Sequence, residues 1–231
     1  MSKHKKFFLI IICILLNSFL IIGFLVVRDA TMANTLKEEA KTISKLDITK
    51  NRYNLKVRTR GNYGIVEKSV KTYLDDYAIS LQKMLSIMGD SKLTQLFSYN
   101  NYVKDGPEFK ESLTYLQAAK EEFNSQIDQL LVNSEEDVIR AYGKEKISNT
   151  HYYDLYVDMI LSDSMKKQFS DAKVFLSQIK VEANEVFEVS GELLNFLIVN
   201  KDFWKLEEGE IRFQTEALYN QYNMYVSKLS Q

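Results

Sequence analysis

The alternation of apolar and polar positions divides this chain into one uninterrupted apolar run and a long region of helical periodicity. The run Phe7–Val27 has 21 residues and no charged side chain. A helix of that length rises about 31 Å, which matches the hydrocarbon core of a bilayer. Because backbone amides in lipid must be bonded within their own segment, the run predicts one transmembrane helix.

The charges that flank the run predict its orientation. Three lysines lie in the tail 1–6, whereas Arg28 and Asp29 follow the run and cancel each other. The positive-inside rule therefore predicts a single-pass protein of the cell membrane, with a cytoplasmic N-terminus and an extracytoplasmic C-terminal region.

A cleavable signal peptide is the alternative interpretation of the same segment. Its apolar region would have about 7–15 residues and would be followed by a cleavage site with small residues. The observed run is longer, and 31–33 (Thr-Met-Ala) is a poor match to such a site. These features favour an uncleaved signal anchor.

Residues 28–52 are predicted to form a stalk or linker, helical to about Lys45, and 53–231 an extracytoplasmic helical domain. Tyr53–Thr59 alternates apolar and polar residues, which is typical of a short strand. Beyond it, apolar residues recur in steps of three and four, which predicts amphipathic helices. The predicted helices are Tyr63–Met88, Lys92–Ser98, Pro107–Val132, Ser134–Gly143, Asn149–Leu161 and Met165–Val199.

The C-terminal region carries a hairpin pattern. Phe203–Leu206 and Ile211–Phe213 flank a polar turn in which Gly209 can adopt a positive φ. Thr215 is placed to cap a last helix.

The predicted fold class is therefore mainly α: an N-terminal transmembrane helix followed by an up-and-down helical bundle with short loops. A small β-hairpin closes one end, or a three-stranded sheet if the strand near Leu55 joins it. One proline and eight glycines in 231 residues favour long helices.

Charge and reactive residues restrict the function. The lysines of the tail carry +3 of a net −1, which leaves −4 beyond the anchor, so we expect no nucleic-acid partner. The only cysteine, Cys13, lies inside the predicted anchor, so the exported part has no thiol and no disulfide. There is no Gly-x-Ser-x-Gly turn and no phosphate-binding glycine loop.

Candidate metal and acid–base residues also fall short of a site. The only histidine beyond the tail, His151, has Asp154 and Asp158 nearby on its helix, which is fewer ligands than a zinc site needs. An acidic ridge lies on the longest helix but lacks the Glu-x-x-His partners of a di-metal site. Its members are Glu182, Glu185, Glu188 and Glu192. We predict no metal, no cofactor and no enzymatic activity.

Tyrosines are the remaining candidates for a functional surface, because tyrosine is enriched in interfaces. Two triplets recur at helical spacing: Tyr152, Tyr153 and Tyr156, and Tyr219, Tyr222 and Tyr225. They are interpreted either as the edge of the core, with buried rings and hydrated hydroxyls, or as a partner surface. Trp204 is interpreted as a packing residue of the hairpin.

Four segments prompt a resemblance to a family: YNLKVRTRGNYGIVEKSVKTYLDDY (53–77), YVKDGPEF (102–109), YYDLYVDMIL (152–161) and NKDFWKLEEGEIRFQTEALYNQYN (200–223). With the lysine-flanked anchor, this layout resembles uncharacterised single-pass membrane proteins of Gram-positive, Clostridia-like bacteria. The resemblance covers most of 53–231 and implies a location and a helical fold, but no activity.

These observations predict a membrane-anchored, non-catalytic domain that binds a protein or cell-envelope partner outside the cytoplasm. The alternative is an extracytoplasmic sensor or small-ligand-binding module that acts through a membrane partner, with a pocket between its helices.

Overall fold

The computed structural model describes residues 26–47 and 54–229, which are mainly helical and include one small antiparallel sheet. Helix α1 covers 26–43 of the described chain. The other helices are α2 (Gly61–Met88), α3 (Ser91–Gln95), α4 (Tyr99–Asp105), α5 (Lys110–Asn133), α6 (Glu136–Lys146), α7 (Thr150–Ile160), α8 (Asp163–Val199) and α9 (Glu216–Leu229). A 3-10 turn (Lys201–Phe203) precedes the strands β1 (Trp204–Glu207) and β2 (Glu210–Phe213).

The described chain forms two compact units. The first contains the described residues up to Asp75 together with Ile139–Lys166. The second contains Asp76–Val138 and the described residues from Lys167 onward.

The first unit buries the apolar faces of α1, of the beginning of α2 and of α7. Its core side chains include Leu36, Ile43, Val66, Val70, Leu74, Ile139, Tyr156 and Ile160. The predicted helix Asn149–Leu161 is confirmed, and the Asn149 side chain accepts a hydrogen bond from the Tyr152 N–H as its N-cap.

The predicted helix end at Gly143 is wrong. Helix α6 continues through Gly143 to Lys146. A Cβ atom at position 143 would overlap the ring of Tyr156, so this glycine allows close packing between α6 and α7 rather than a helix stop.

In the second unit, α5 and α8 pack antiparallel. Polar pairs follow one another in reverse order along the two helices: Lys120–Glu188, Asn124–Asn184 and Asp128–Lys180. Glu135, just beyond the end of α5, continues the row with Lys173. Inside this row, the rings of Phe123 and Phe187 lie 5.8 Å apart. The predicted helix Met165–Val199 is confirmed. Its apolar residues recur in steps of three and four from Met165 to Leu197, and most of them are buried. Val186, which follows this spacing, is exposed, and the neighbouring Phe187 is buried in its place.

The predicted helix Lys92–Ser98 corresponds to α3, which ends at Gln95, and it is followed by α4, a second short helix that was not predicted. The carboxylate of Asp90 accepts a hydrogen bond from the Lys92 N–H and starts α3. Ser98, the predicted helix end, caps α4, because its hydroxyl accepts the Asn101 N–H. The serine therefore begins a helix where the apolar pattern indicated that one ends.

The sequence predicted that Pro107 begins α5, and this prediction is wrong. Phe109 adopts a left-handed conformation with φ of 46°, and the helix begins at Lys110. Phe109 has no side-chain cap of its own, and Asp105 supplies it, since its carboxylate accepts the N–H groups of Glu111 and Ser112 at 3.1 and 2.7 Å. The Phe109 ring is fully buried.

The predicted strand Tyr53–Thr59 is wrong over its described residues, which form an irregular loop. Leu55, expected on the buried face, is 49% exposed. The backbone N–H groups of Arg58 and Thr59 donate to the side chain of Glu67 and not to a strand. The described residues therefore contain a two-stranded sheet only. The alternative of a three-stranded sheet required this strand and is wrong as well.

The predicted hairpin is confirmed. Strands β1 and β2 pair antiparallel from Trp204 opposite Phe213 to Glu207 opposite Glu210. Both turn residues have a positive φ, and Gly209 is one of them, as expected for a two-residue hairpin turn. Thr215 caps α9, since its hydroxyl accepts the Leu218 N–H.

The predicted anchor Phe7–Val27 lies outside the described residues except for Val26 and Val27, which are helical and exposed. None of the helices within 26–47 and 54–229 combines the length and the apolar character that crossing a membrane requires.

Candidate functional site

The first tyrosine triplet lies on α7 in the first unit. Tyr156 is fully buried, and its hydroxyl donates to the Ile139 carbonyl at 2.9 Å. Tyr153 is half-buried and stacks on Tyr156. Tyr152 is also half-buried and packs edge-to-face on Tyr63, with ring centroids 5.1 Å apart. Of the three, Tyr152 is the one that lines a cavity of the first unit.

The second triplet lies on α9 in the second unit. Tyr219 is 51% exposed, whereas Tyr222 and Tyr225 are half-buried. The Tyr222 hydroxyl shares a 3.1 Å hydrogen bond with that of Tyr102. Tyr225 packs on Phe196. The two triplets therefore belong to separate units. Tyr156 in the first triplet and Tyr225 in the second contribute mainly to packing.

Trp204, predicted as a packing residue of the hairpin, packs on the ring of Phe109, with centroids 6.1 Å apart. Its indole N–H donates to the Leu197 carbonyl at 2.7 Å.

His151 lies in the first turn of α7 and is exposed, beside Tyr152. The four glutamates of the acidic ridge are exposed. Among the described residues, no group of three or more side chains is arranged to hold a metal ion.

A cavity of about 430 Å³ in the first unit brings together α1, the start of α2 and α7. We call it the arginine pocket and define it by Arg28, Asp29, Met32, Arg60, Tyr63 and Tyr152. Its residues come from the first turns of α1 that follow the predicted anchor and from the junction between the loop 54–60 and α2. Gly61, with φ of 60°, makes the turn that carries the chain from Arg60 into α2.

The arginine pocket contains two guanidinium groups and one carboxylate. Arg28 and Arg60 are exposed, and neither makes an ion pair with any described residue. Asp29 accepts a 3.2 Å hydrogen bond from the Tyr63 hydroxyl. The pocket therefore has a formal net charge of +1, and burial together with Asp29 raises the pKa of Tyr63, which stays protonated.

A buried charge network holds the loop that carries Arg60. We define it as Glu39, Glu67 and Lys71, with Arg58 and Thr59 of the loop. The Glu67 carboxylate accepts the N–H groups of Arg58 and Thr59 and the Thr59 hydroxyl, at 3.0, 2.8 and 2.7 Å. These bonds attach the loop to the first turns of α2.

Lys71 completes the charge network. Its ammonium donates to Glu67 at 2.6 Å, to Glu39 at 2.8 Å and to the Lys56 carbonyl at 2.9 Å, so all three of its hydrogens are used. Arg58 adds a second cation for Glu39, at 2.6 Å. The two anions and two cations balance.

The pKa values of the network agree with this pairing. Burial opposes ionisation of Glu67, but hydrogen bonds from Lys71, Thr59 and Arg58 outweigh it and lower the pKa below its ordinary value of 4.5. Burial likewise opposes the charged form of Lys71, but Glu39 and Glu67 raise its pKa. Glu67 and Lys71 are therefore both charged at neutral pH, and their hydrogen bonds hold the loop.

The arginine pocket was not identified from the sequence. In the sequence, Arg28 bears on the orientation of the predicted anchor, and Arg60 stands next to a glycine without any pattern that marks a ligand. The run Arg58-Thr-Arg60 close to a glycine carried the available signal, but the sequence does not distinguish the arginine that pairs with Glu39 from the one that lines the pocket.

Comparisons with known proteins add no relative: no family model, no curated protein and no solved structure matches this chain.

Proposed function

We propose that this chain is a single-pass membrane protein with a cytoplasmic N-terminus, whose helical domain outside the cytoplasm binds a partner in the membrane or the cell envelope without catalysis. The observation that carries the proposal is that α1, which is already helical at Val26, is built into the first unit. The apolar run would thus be continuous with the domain and would hold it next to the bilayer.

The contacts of α1 support this proposal. Leu36 and Ile43 are buried in the first unit, and Glu39 is part of the charge network. Asp29 is bonded to Tyr63 only two residues after Val27, which corresponds to about 3 Å of helix rise. A domain attached in this way stays close to the membrane surface rather than at the end of a free linker.

Exposed apolar side chains of the second unit support the partner-binding part. Val174 and Val181 are each 69% exposed, and they lie seven residues apart on one face of α8, with Phe175 beside them. The Leu176 and Ala183 side chains of the same helix are buried, so the exposed residues are additional to the core stripe. They offer apolar and aromatic contacts of the kind found at interfaces, and so, separately, does the exposed Tyr219 of α9.

The hydrogen bonds and ion pairs within the charge network support a non-catalytic role. Glu39, Glu67 and Lys71 are the kind of buried ionisable groups that can mark a catalytic centre. Here each of the three is bonded to another member of the network or to the loop backbone, and the pKa shifts of Glu67 and Lys71 favour their charged forms. The proposed role is therefore binding rather than catalysis.

The membrane part is tested by fractionation and labelling of the full chain in bacterial cells. After alkaline carbonate extraction, the chain is expected to remain with the membranes. In a Cys13→Ser background, a membrane-impermeant maleimide is expected to label Lys228→Cys in intact cells but Ser2→Cys only after lysis. Release of the chain by carbonate, or a mature N-terminus near Asn34, would show that no anchor is retained.

The partner part is tested by photo-crosslinking in cells. A photoreactive phenylalanine analogue replaces Val181, and a matched control replaces Glu121, an exposed residue of α5. We expect a discrete adduct from position 181 that is absent from position 121. Equal, diffuse labelling from both positions would contradict a specific partner surface on α8.

A sensor or small-ligand module is the second candidate, and a cavity of the second unit favours it. This cavity of about 440 Å³ is lined mainly by polar residues, including Lys92, Asn101, Lys104 and Tyr115. Thermal-shift screening of the full chain in detergent against small anions and glycans would reveal such a ligand. A shift that is lost in Lys92→Gln but kept in Lys83→Gln would favour the sensor over the partner-binding proposal.

A further inference from the structure

We propose that the arginine pocket binds an anionic phosphodiester, supplied by the headgroup of a membrane phospholipid such as phosphatidylglycerol. The inference rests on the proposed function, because the lipid reaches the pocket only if the chain is anchored where α1 begins. It adds a ligand class and a site that membrane anchoring alone does not imply.

The charges of the pocket match this ligand. Arg28 and Arg60 line the same cavity and have no ion-pair partner among the described residues, whereas Arg58, two positions earlier, is paired with Glu39. A guanidinium binds phosphate oxygens with two parallel hydrogen bonds, which an ammonium cannot do. Two arginines that bracket one cavity are therefore suited to a phosphate group.

The carboxylate of Asp29 does not prevent anion binding. It accepts the Tyr63 hydroxyl, and its charge leaves a net +1 on the pocket. A phosphodiester carries a single negative charge and would neutralise the pocket, whereas a phosphomonoester carries close to two near neutral pH. A zwitterionic choline headgroup has no net charge to contribute. The pocket should thus prefer an anionic diester.

The position of the pocket along the chain matches the depth of a headgroup. Arg28 directly follows the predicted apolar run, and Met32 lies five residues beyond Val27, which is about 8 Å of helix rise. The headgroup region on each side of a bilayer is about 5–8 Å thick. Tyrosine is enriched at this level, and the Tyr63–Tyr152 pair forms one wall of the cavity.

The test uses the full chain in dodecyl maltoside and native mass spectrometry. Phosphatidylglycerol and phosphatidylcholine of the same acyl chains are titrated separately, and the bound fraction is measured. A third arm titrates glycerophosphoglycerol, the soluble headgroup without acyl chains. The variants are Arg60→Gln, Arg60→Lys and, as a matched exposed arginine outside the pocket, Arg212→Gln.

The wild type is expected to bind phosphatidylglycerol about tenfold more tightly than phosphatidylcholine, the effect of one charge-assisted phosphate contact. Arg60→Gln should lose that preference, Arg60→Lys should keep part of it, and Arg212→Gln should retain it. Circular dichroism of Arg60→Gln should be unchanged, because Arg60 is exposed. Equal binding of both lipids, or the same preference in Arg60→Gln, would overturn the proposal.

The soluble arm separates the two sources of the phosphate. If glycerophosphoglycerol binds as tightly as the lipid and depends on Arg60, the phosphodiester site stands but the membrane as its source is contradicted. This arm also separates the present inference from the proposed function. If carbonate releases the chain but phosphatidylglycerol binding still depends on Arg60, only the membrane anchor is disproved. If the chain stays with the membranes but Arg60→Gln binds phosphatidylglycerol like the wild type, only the pocket is disproved.

Discussion

The loop 54–60 of the first unit and the hairpin Trp204–Phe213 of the second are both non-helical segments attached to helices, but different chemistry attaches them. The loop is held by buried charges, chiefly the carboxylate of Glu67 and the ammonium of Lys71. The hairpin is held by aromatic rings, with Trp204 packed on Phe109 and Phe213 packed on Tyr222.

The difference predicts how each segment responds to substitution. In a charge network, removing one partner leaves another charge buried without compensation, so a single change has a large effect. In an aromatic cluster, each pair contributes about 0.5–1.5 kcal/mol beyond its buried area, so the loss is gradual. The loop should therefore depend on a few residues and on pH, and the hairpin on many residues and not on pH.

The largest effect is expected from Lys71→Met. The substitution leaves Glu67 buried without its cation, although Arg58 still pairs with Glu39. We expect a loss of about 3 kcal/mol in the free energy of unfolding, the lower end for broken buried ion pairs. The measurement is urea unfolding of the full chain in detergent, followed by far-ultraviolet circular dichroism.

Two variants identify the cause of that loss. Lys68→Met removes an exposed lysine from the same helix and should change stability by less than about 0.5 kcal/mol. Lys71→Met combined with Glu67→Gln removes both charges and should recover part of the loss, since the amide oxygen can still accept the loop N–H groups. A double variant as unstable as the sum of the two single ones would contradict a penalty from buried charge.

The same network should give the first unit a pH dependence. The pKa of Glu67 is lower in the folded chain, so its contribution is complete above its ordinary value of 4.5 and is lost as pH falls through the folded value. Wild-type stability should therefore decrease below about pH 4.5, and Glu67→Gln should reduce that slope. A control with Phe109→Ala should be less stable at every pH but keep the wild-type slope. An unchanged slope in Glu67→Gln would contradict the assigned role.

The long helices were predictable because their apolar residues recur over many turns. Asn149–Leu161 and Met165–Val199 agree with α7 and α8 to within about two residues, and Gly209 fixes the hairpin turn. Thr215 was predicted to cap α9, but two other features that depend on single residues were not predictable. Ser98 caps a helix that the apolar pattern does not indicate. The need for glycine at position 143 comes from the ring of Tyr156, which lies on another helix.

The candidate sites were less predictable than the fold, because their residues are distant in sequence. Arg28, Arg60 and Tyr152 meet only once α1, the loop and α7 are folded. The short alternation around Leu55 is equally compatible with a strand and with a loop held by a carboxylate. Only the position of Glu67 decides between them, and nothing in the local pattern indicates that this glutamate is buried.

A smaller effect is expected from glycine substitutions that compare packing in the two units. Gly143→Ala would place a methyl group on the ring of Tyr156 in the first unit and should destabilise the chain by about 2 kcal/mol. Gly191→Ala on α8 would meet only Leu116, at an ordinary 3.8 Å, and should be neutral or stabilising by up to about 1 kcal/mol. Thermal unfolding of both variants tests the difference. Similar destabilisation by both would mean that the close contact at Gly143 does not limit packing.

The smallest effect is expected from the hydroxyl pair that connects α4 to α9. Tyr102→Phe removes the 3.1 Å hydrogen bond to Tyr222 but keeps both rings in place, so the loss should be about 1 kcal/mol. Tyr222→Phe should cost a similar amount, and the double variant little more, because both single changes remove the same bond. Burial first, and then the neighbouring Tyr222, raise the pKa of Tyr102 far above its ordinary value, so this loss should be the same at pH 4 and pH 8. A loss that changes with pH as strongly as that of Glu67→Gln would remove the contrast between a charge-held loop and an aromatic-held hairpin.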